Sequence, residues 1–298
     1  MELQHRPHPE PRDLTRGGPY DTTDHRIIDV GNGNHLSVHD FGDGEIPLLL
    51  LHGIPGHAVS WDRVIARLPA EYRVIVPDLL GFGASSRPTG ALELHAESQA
   101  NAVAAALDHL RVANVFVVGH DFGGPVALWL TRLRPGLVTR IGLVAANVMP
   151  DTPIPTPLNL LTVPVVGALV ERAIMSPPAL RMMVSRGVGR PKIAIDRSAY
   201  IGDRRQARVI RTIFADSLRN LRELYTPTKE ALEKLDVPVF VAWGDRDPFF
   251  GVAEGRRIAE AVAGSTFTVF EGAGHFLTDE RPDRLADLIA KTARRTDL

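Results

Sequence analysis

The chain has 298 residues, of which 44% are hydrophobic and 23% are charged, and this composition is typical of a globular protein with a sizeable core. Its 34 Lys and Arg residues nearly balance its 35 Asp and Glu residues, so charge offers no attraction to nucleic acid or to an anionic membrane surface. Because the chain contains no cysteine, disulfides, thiolate metal sites and a cysteine nucleophile are excluded.

Residues 1–25 are polar and contain several prolines, and we expect them to form a loose arm outside the folded core. They lack the apolar run that forms the centre of a signal peptide, and no later run is long and apolar enough to cross a bilayer. The sequence therefore predicts a cytoplasmic protein that binds neither nucleic acid nor membrane.

Short apolar runs recur along the chain and indicate β-strands. In chain order they cover residues 26–30, 35–40, 46–51, 72–76, 114–118, 141–145, 238–243 and 266–270. The glycines and asparagines of residues 31–34 predict a hairpin turn between the first two. Amphipathic segments such as 98–110 and 125–133 have helical spacing. Strands alternating with helices predict an α/β fold with a doubly wound, mostly parallel sheet, in two parts, 26–150 and 233–298.

Residues 151–232 break this alternation, because they show helical patterns without clear strands, and we expect them to form a helical cap over the sheet. Four of the five methionines lie in or beside this segment, at positions 149, 175, 182 and 183. Two interpretations remain open: methionine fills gaps in the cap's own core, or it forms an adaptable lining for an apolar pocket.

The string Gly119-His120-Asp121-Phe122-Gly123-Gly124 lies between a predicted strand and a predicted helix. A G-x-S-x-G string in this place forms a nucleophile elbow, in which flanking glycines permit a sharp turn that exposes the central side chain. Here the central residue is Asp121. A carboxylate is suited to displacing a leaving group at saturated carbon, which gives an ester on the enzyme. The alternative is that Asp121 only caps the following helix.

Two backbone N–H groups are expected to form an oxyanion hole beside this elbow. One comes from the loop after the third strand, His52-Gly53-Ile54-Pro55-Gly56, and the other from the residue after the nucleophile. The predicted donors are therefore Ile54 and Phe122. We expect His52 to order the loop rather than to take part in chemistry.

The base and its acid partner are predicted from two later loops at strand ends. His275, within Gly272-Ala273-Gly274-His275-Phe276, is the candidate base. Asp247, within Gly244-Asp245-Arg246-Asp247, is the candidate acid, with Asp245 as the alternative, and both aspartates are also common turn formers. The chain order of nucleophile, acid and histidine matches the order of this type of triad.

Together these strings resemble the α/β-hydrolase superfamily over nearly the whole chain. The loop Pro77–Ser85 (PDLLGFGAS) is similar to that superfamily's loop after the fourth strand. The Gly-His-Asp-x-Gly-Gly elbow beside His-Gly-x-Pro-Gly resembles the epoxide hydrolase and haloalkane dehalogenase branch, whose helical cap occupies the position of residues 151–232. The resemblance implies that Asp121 forms an alkyl ester, and that water activated by His275 then hydrolyses it.

The two activities of this branch differ in how the leaving group is stabilised. Epoxide hydrolases usually use two cap tyrosines, and the predicted cap contains only Tyr200 and Tyr225, with no counterpart of the first one between 151 and 199. Simple packing is the competing interpretation of both tyrosines. We favour an epoxide hydrolase-like enzyme acting on a small or medium apolar substrate.

A haloalkane dehalogenase is the runner-up. That family typically has tryptophan directly after the nucleophile and often asparagine in the His-Gly loop, where this chain has Phe122 and Ile54. Trp61, Trp129 and Trp243 are predicted to be core residues. Fluoroacetate-type dehalogenases have arginine after the nucleophile and an acid near position 147, where this chain has Asn147.

Other classes remain as alternatives: an ester or C–O bond hydrolase, a cofactor-free oxygenase, or a non-catalytic small-molecule binding protein on a hydrolase scaffold. No cofactor or metal is implied, because no metal-ligand spacing is present in the sequence. The expected partner is a small-molecule substrate, and the chain is expected to be a monomer or a homodimer. Aliphatic residues, methionines and the phenylalanines Phe122, Phe249 and Phe250 are predicted to line the pocket.

Overall fold

One eight-stranded sheet organises the chain in the computed structural model, which describes residues 25–154, 159–160, 163, 176–189 and 204–295. The strands are β1 (Arg26–Gly31), β2 (Asn34–Phe41), β3 (Ile46–Leu51), β4 (Tyr72–Pro77), β5 (Val115–His120), β6 (Val138–Val144), β7 (Val239–Gly244) and β8 (Thr266–Phe270). Their spatial order is β1-β2-β4-β3-β5-β6-β7-β8.

The sheet is parallel from β4 to β8 and antiparallel at its first edge. β2 pairs antiparallel with both β1 and β4, and the remaining neighbours pair in parallel. The predicted hairpin between β1 and β2 is confirmed, with Gly31, Asn32 and Gly33 all at positive φ. Since β3, β5, β6, β7 and β8 run in the same direction, the loops that follow them meet at one edge of the sheet, where function is expected in open α/β folds.

Helices follow most of the strands. They are α1 (Asp62–Ile65), α2 (Ala96–His109), α3 (Gly123–Leu133), α4 (Pro177–Gly187), α5 (Arg204–Arg219), α6 (Leu221–Leu232), α7 (Val252–Glu260), α8 (Leu277–Glu280) and α9 (Pro282–Ala293). Short 3₁₀ turns cover Ala58–Trp61 and Leu92–Leu94.

The sheet is covered on both faces, as the alternation of side chains along β3 shows. Leu49 and Leu51 belong to the core layer that contains α2, α3 and α7. Leu48 and Leu50 point the other way, into the layer that contains α1 and α9. All four leucines are fully buried, which explains why β3 reads as a continuous apolar run. The predicted α/β fold with a doubly wound, mostly parallel sheet is confirmed.

Three described helices, α4, α5 and α6, occupy the chain between β6 and β7, where the helical cap is predicted. Gln206 of α5 donates from Nε2 to the carbonyl oxygen of Pro55 at 2.7 Å, and Thr228 of α6 donates to the carbonyl oxygen of Val148 at 2.8 Å. These bonds anchor the helices above the strand ends. The exact borders of arm, core and cap stay predictions, and the arm lies almost wholly outside the described residues.

Within the described part of the chain, no helix combines the length and the apolar character that a membrane crossing needs.

Candidate active site

Asp121 is the first residue after β5 and occupies a sharp turn. Its φ is 50°, a left-handed conformation that aspartate tolerates better than most residues, and its N–H donates to the carbonyl oxygen of Val144 at 3.0 Å. A Cβ on Gly119 would lie 2.3 Å from the carbonyl oxygen of Gly123, and one on Gly123 would lie 2.4 Å from that of Leu51. The glycines are therefore sterically required, as predicted for a nucleophile elbow.

The alternative interpretation of Asp121 as a helix cap is wrong. Helix α3 begins at Gly123 with Phe122 in the N-cap position, and no side chain caps it. The Asp121 carboxylate points instead to the loop after β3, where its Oδ1 accepts the N–H of Ile54 at 2.8 Å. Phe122 is buried, and its ring lines the cavity described below.

The loop after β3 is held in place by His52. The Leu79 N–H donates to Nε2 of His52 at 2.9 Å, so Nδ1 carries the ring proton and donates to the carbonyl oxygen of Gly53 at 3.0 Å. Burial lowers the pKa of His52 to about 4, which keeps the ring neutral. A Cβ on Gly53 would lie 2.4 Å from the Asp121 Cβ, so only glycine lets the Ile54 N–H approach the carboxylate this closely. His52 thus has the ordering role expected of it.

His275 lies on the loop between β8 and α8, beside Asp121. Its Nδ1 is 2.8 Å from Oδ2 of Asp247, and its Nε2 is 3.6 Å from Oδ2 of Asp121. The backbone of His275 is fixed on both sides: its N–H donates to the carbonyl oxygen of Gly187 at 2.7 Å, and its carbonyl oxygen accepts Nε2 of His120 at 3.0 Å. The imidazole is therefore held between two carboxylates.

Asp247 is the carboxylate that the structure brings to His275, and Asp245 is not. Oδ1 of Asp247 accepts the N–H groups of Phe249 and Phe250 at 2.8 and 3.1 Å, so the carboxylate is locked with Oδ2 toward the imidazole. Its side chain is fully buried. Asp245 instead accepts the N–H of Gly272 at 2.7 Å and forms part of the loop's own framework.

Burial and neighbouring charges set the protonation states of His275, Asp121 and His120. Burial by itself lowers the pKa of His275, but the carboxylates of Asp247 and Asp121 outweigh burial and raise it to about 10. For Asp121, burial opposes ionisation, yet the hydrogen bond and the charge of His275 keep its pKa below the usual value. Burial and the nearby His275 lower the pKa of His120 to about 4. At neutral pH the resting site thus contains an imidazolium between two carboxylates, with His120 neutral.

An apolar cavity opens above Asp121 and His275, between the sheet and helices α4, α5 and α6. Apolar side chains from both parts line it, including Ile213, Phe214 and Leu218 of α5 and Phe249, Phe250 and Phe276 of the core. Among the described residues that line it, none is Lys or Arg, so the site is suited to a neutral substrate.

Tyr225 of α6 also lines the cavity. Its side chain is buried, and burial together with the charge of Asp121 raises the pKa of its hydroxyl. Its hydroxyl makes no hydrogen bond with any residue that the structure describes. Tyr200, the other predicted leaving-group donor, lies outside the described residues.

The methionines support both interpretations given above, in which they fill gaps in a core or line an apolar pocket. Met183 lines the cavity, whereas Met149 is a buried core residue that does not. Met182 is 51% exposed, and Met175 lies outside the described residues. None of the tryptophans lines the cavity in the part of the chain described; Trp61 and Trp243 are fully buried, and Trp129 is half-buried beside Arg132.

A family model described as "Alpha/beta hydrolase family" matches residues 48–288, which is most of the chain and includes all three residues of the Asp121, Asp247 and His275 cluster. The chain belongs to this family.

Several known proteins are similar to this chain over most of its length. A soluble epoxide hydrolase from Corynebacterium sp. (strain C12) is 28% identical over 284 residues, which cover 87% of this chain and 94% of that protein. A thermophilic esterase from Thermogutta terrifontis aligns with a TM-score of 0.74 and 23% identity over 91% of this chain and 98% of its own. A haloalkane dehalogenase from Bradyrhizobium elkani aligns with a TM-score of 0.74 and 21% identity over 90% of this chain and 97% of its own. The two solved structures show the shared fold, whereas the type of hydrolase is a separate question.

Two polar residues of this α/β hydrolase were not predicted as part of its site. Glu280 is buried and accepts the N–H of Gly274 at 3.0 Å and that of Gly189 at 2.7 Å, which joins the histidine loop to the end of α4. Asn147, considered in the sequence only as a place that lacks an acid, lines the cavity. No local motif marks either residue, and Gly189, one partner of Glu280, is 91 positions away in the sequence.

Proposed function

We propose that this α/β hydrolase opens epoxides of small or medium, neutral, mostly apolar molecules through an ester formed on Asp121. The observation that carries the proposal is the orientation of the Asp121 carboxylate. Oδ1 is held by the Ile54 N–H at 2.8 Å, while Oδ2 faces His275 at 3.6 Å and borders the apolar cavity.

This orientation prepares both halves of the reaction. When Oδ2 attacks a ring carbon of the epoxide, the new C–O bond forms as the ring C–O bond breaks, and the electron pair stays on the leaving oxygen. Oδ1 then becomes the carbonyl oxygen of the ester and already lies on the Ile54 N–H. When water adds to that carbonyl, the same N–H and that of Phe122 stabilise the oxyanion.

The change in charge at Asp121 controls His275. In the resting site the two carboxylates raise the pKa of His275 to about 10. Esterification removes the charge of Asp121, so the imidazolium loses one of its two anionic neighbours and releases its proton more easily. The neutral ring, oriented by Asp247, then takes a proton from the attacking water. Tyr225 donates a proton to the leaving oxygen and recovers one from solvent, so the proton count closes over the cycle.

Epoxide opening and halide loss differ in the hydrogen-bond donors that the leaving group needs. Tyr225 offers a hydroxyl to the cavity, which suits a developing alkoxide. The side chains of Ile54 and Phe122 offer no donor to a halide, and no described tryptophan lines the cavity. The likeness to the Corynebacterium soluble epoxide hydrolase supports the same choice. We also propose a cytoplasmic monomer or homodimer with a small-molecule substrate.

The test is a paired turnover assay on the purified protein and its Asp121→Ala variant. One arm offers styrene oxide and hexene oxide and follows diol, while the other offers bromobutane and chlorobutane and follows halide release. The proposal expects diol from the wild type alone. Halide from the wild type without diol would contradict it and would establish the dehalogenase alternative. Ligand binding without turnover in either arm would instead favour a binding protein on a hydrolase scaffold.

A further inference from the structure

The chain leaves β6 through a strained residue beside the elbow of Asp121. Ala145 has a φ of 44°, a left-handed conformation that is unfavourable for a residue that is neither glycine nor asparagine. Its N–H nonetheless donates to the carbonyl oxygen of Ala242 in β7 at 2.9 Å. Strain of this kind persists where the surroundings impose it and is concentrated at functional sites, so the residues that follow Ala145 merit a functional explanation.

The turn at Ala145 sets the next residues against the start of α3. A Cβ on Gly124 would lie 2.4 Å from the Cβ of Ala146 and 3.5 Å from Cγ1 of Val148. Both Ala146 and Val148 are fully buried. Asn147 lies between these two buried residues in the chain, and it lines the same cavity as Asp121.

Hydrogen bonds fix which way the Asn147 amide points. Its Oδ1 accepts the N–H of Met149 at 3.2 Å and the hydroxyl of Thr152 at 2.6 Å. Because a backbone N–H can only donate, the atom facing Met149 must be the oxygen, and the NH₂ group takes the other position. That NH₂ group has no acceptor among the residues that the structure describes. Of the two polar atoms of the Asn147 side chain, the nitrogen is therefore the one available to a ligand in the cavity that this residue lines.

The cavity around Asn147 is poor in competing polar groups. Most of its described lining is apolar, and Tyr225 and Ser217 supply the other side-chain hydroxyls that lack a described partner. A neutral donor in such surroundings interacts most strongly with an oxygen that gains negative charge, and it cannot itself accept a proton from the substrate.

We propose that Asn147 is a second hydrogen-bond donor to the leaving oxygen, acting with Tyr225. This inference rests on the proposed function. As Oδ2 of Asp121 bonds to carbon and the ring C–O bond breaks, the electron pair collects on the oxygen, where the Asn147 NH₂ stabilises it by hydrogen bonding. The proton that completes the hydroxyl comes from Tyr225, since the amide donates a hydrogen bond without transferring its proton.

The decisive variants separate the donor from the structural bonds of Asn147. Asn147→Asp keeps an oxygen for Met149 and Thr152 and replaces the NH₂ by an acceptor, whereas Asn147→Leu removes both functions. Each is combined with His275→Gln, in which the Asp121 ester accumulates, and ester formation from styrene oxide is followed by intact-protein mass spectrometry. Removing one such donor costs about 100-fold or more in rate in other enzymes, and we expect a loss of that order in both variants.

Two controls test whether slower ester formation is due to loss of the Asn147 donor. Asn101→Leu removes an exposed side-chain amide of α2 that does not line the cavity, and it should leave the rate of ester formation unchanged. With His275 intact, Asn147→Asp should hold a smaller fraction of Asp121 ester during turnover than the wild type, because the donor acts on ester formation alone and ester hydrolysis keeps its rate. Equal rates of ester formation in Asn147→Leu and its His275→Gln parent would overturn the inference, as would equal losses in both half-reactions.

A binding measurement keeps this inference apart from the proposed function. If the His275→Gln parent forms no ester from any epoxide, the proposed function fails. The presence of a hydrogen-bond donor at Asn147 is then tested by nuclear magnetic resonance titration with acetophenone and its hydrocarbon analogue cumene. The wild type should prefer the ketone by about tenfold, as one net hydrogen bond allows, and both Asn147 variants should lose most of that preference. No preference in the wild type, or the same preference in the variants, would refute a donor at Asn147.

Discussion

Gly53 is the position where the smallest substitution should do the most damage to the site. The Cβ of an alanine there would lie 2.4 Å from the Asp121 Cβ and 2.8 Å from Oδ1, whereas carbon atoms in contact lie about 3.5–4.0 Å apart. Gly53→Ala therefore has to move either the loop or the carboxylate by about 1 Å, since the Asp121 Cβ belongs to a turn fixed by its own glycines.

The expected cost follows from that displacement. Overpacking a tight contact destabilises a protein by about 1–3 kcal/mol, and a misplacement of about 1 Å at a reacting group lowers the rate by about 100-fold. The Ile54 N–H should lose its bond to Oδ1, which would slow both ester formation and ester hydrolysis.

Single-turnover kinetics with styrene oxide, together with urea unfolding, measure the two costs of Gly53→Ala. The matched control is Gly90→Ala, because Gly90 is exposed and an added Cβ there meets only the end of the flexible Glu93 side chain, at 3.0 Å. Gly53→Ala turning over as fast as Gly90→Ala would refute the claim that close approach of the loop to Asp121 organises the site.

Three further predictions concern the charged cluster and the cavity. Asp247→Asn should slow ester hydrolysis by about 1,000- to 10,000-fold, because its amide would place a donor against the Nδ1–H of His275, while Asp245→Asn should have no effect in the same assay. Because the pKa of His275 is raised, its charged form should make the wild type more stable to urea than His275→Gln. This difference in the free energy of unfolding should be complete below pH 6.5 and vanish as the pH rises through about 10; a pH-independent difference would contradict this. Tyr225→Phe should slow ester formation by about 100-fold without lowering the melting temperature, since the hydroxyl has no described partner to lose.

The elbow of Asp121 could be predicted from sequence because its signal is local. Glycines at fixed spacing between a strand and a helix have a steric explanation within a few residues, and the structure shows the same close contacts at Gly119 and Gly123. The choice of Asp247 over Asp245 rested on the length of the loop after β7, and the structure places Asp247 on His275.

Element borders were less predictable where polar residues occupy strand or helix ends. β6 begins at Val138, three residues before the predicted start, because Thr139 and Arg140 are half-buried and hide the strand pattern. Helix α3 begins at Gly123, two residues before the predicted start, although glycine has a low helix propensity. Close packing on Leu51 permits no larger residue there, so tertiary contact overrides propensity.

The support for the site from distant segments could not be read from the sequence. The His275 N–H is held by Gly187 at the end of α4, and its loop is held by Glu280. The orientation of Asn147 depends on Met149 and Thr152, which show no motif. The contact of His275 with Gly187 is tertiary, and the bonds of Asn147 belong to an irregular turn, so composition, periodicity and spacing contain no signal for either.

The central claim is that water attacks the Asp121 carboxyl carbon of an ester rather than the substrate itself. It is tested most directly by letting an excess of the protein turn over styrene oxide once in water labelled with the heavy isotope of oxygen. The account predicts that the label enters the peptide containing Asp121 and that the first diol contains only ordinary oxygen, one atom of which comes from Oδ2. Label in the first diol, with an unlabelled Asp121 peptide, would contradict the account and mean that Asp121 acts as a base on water.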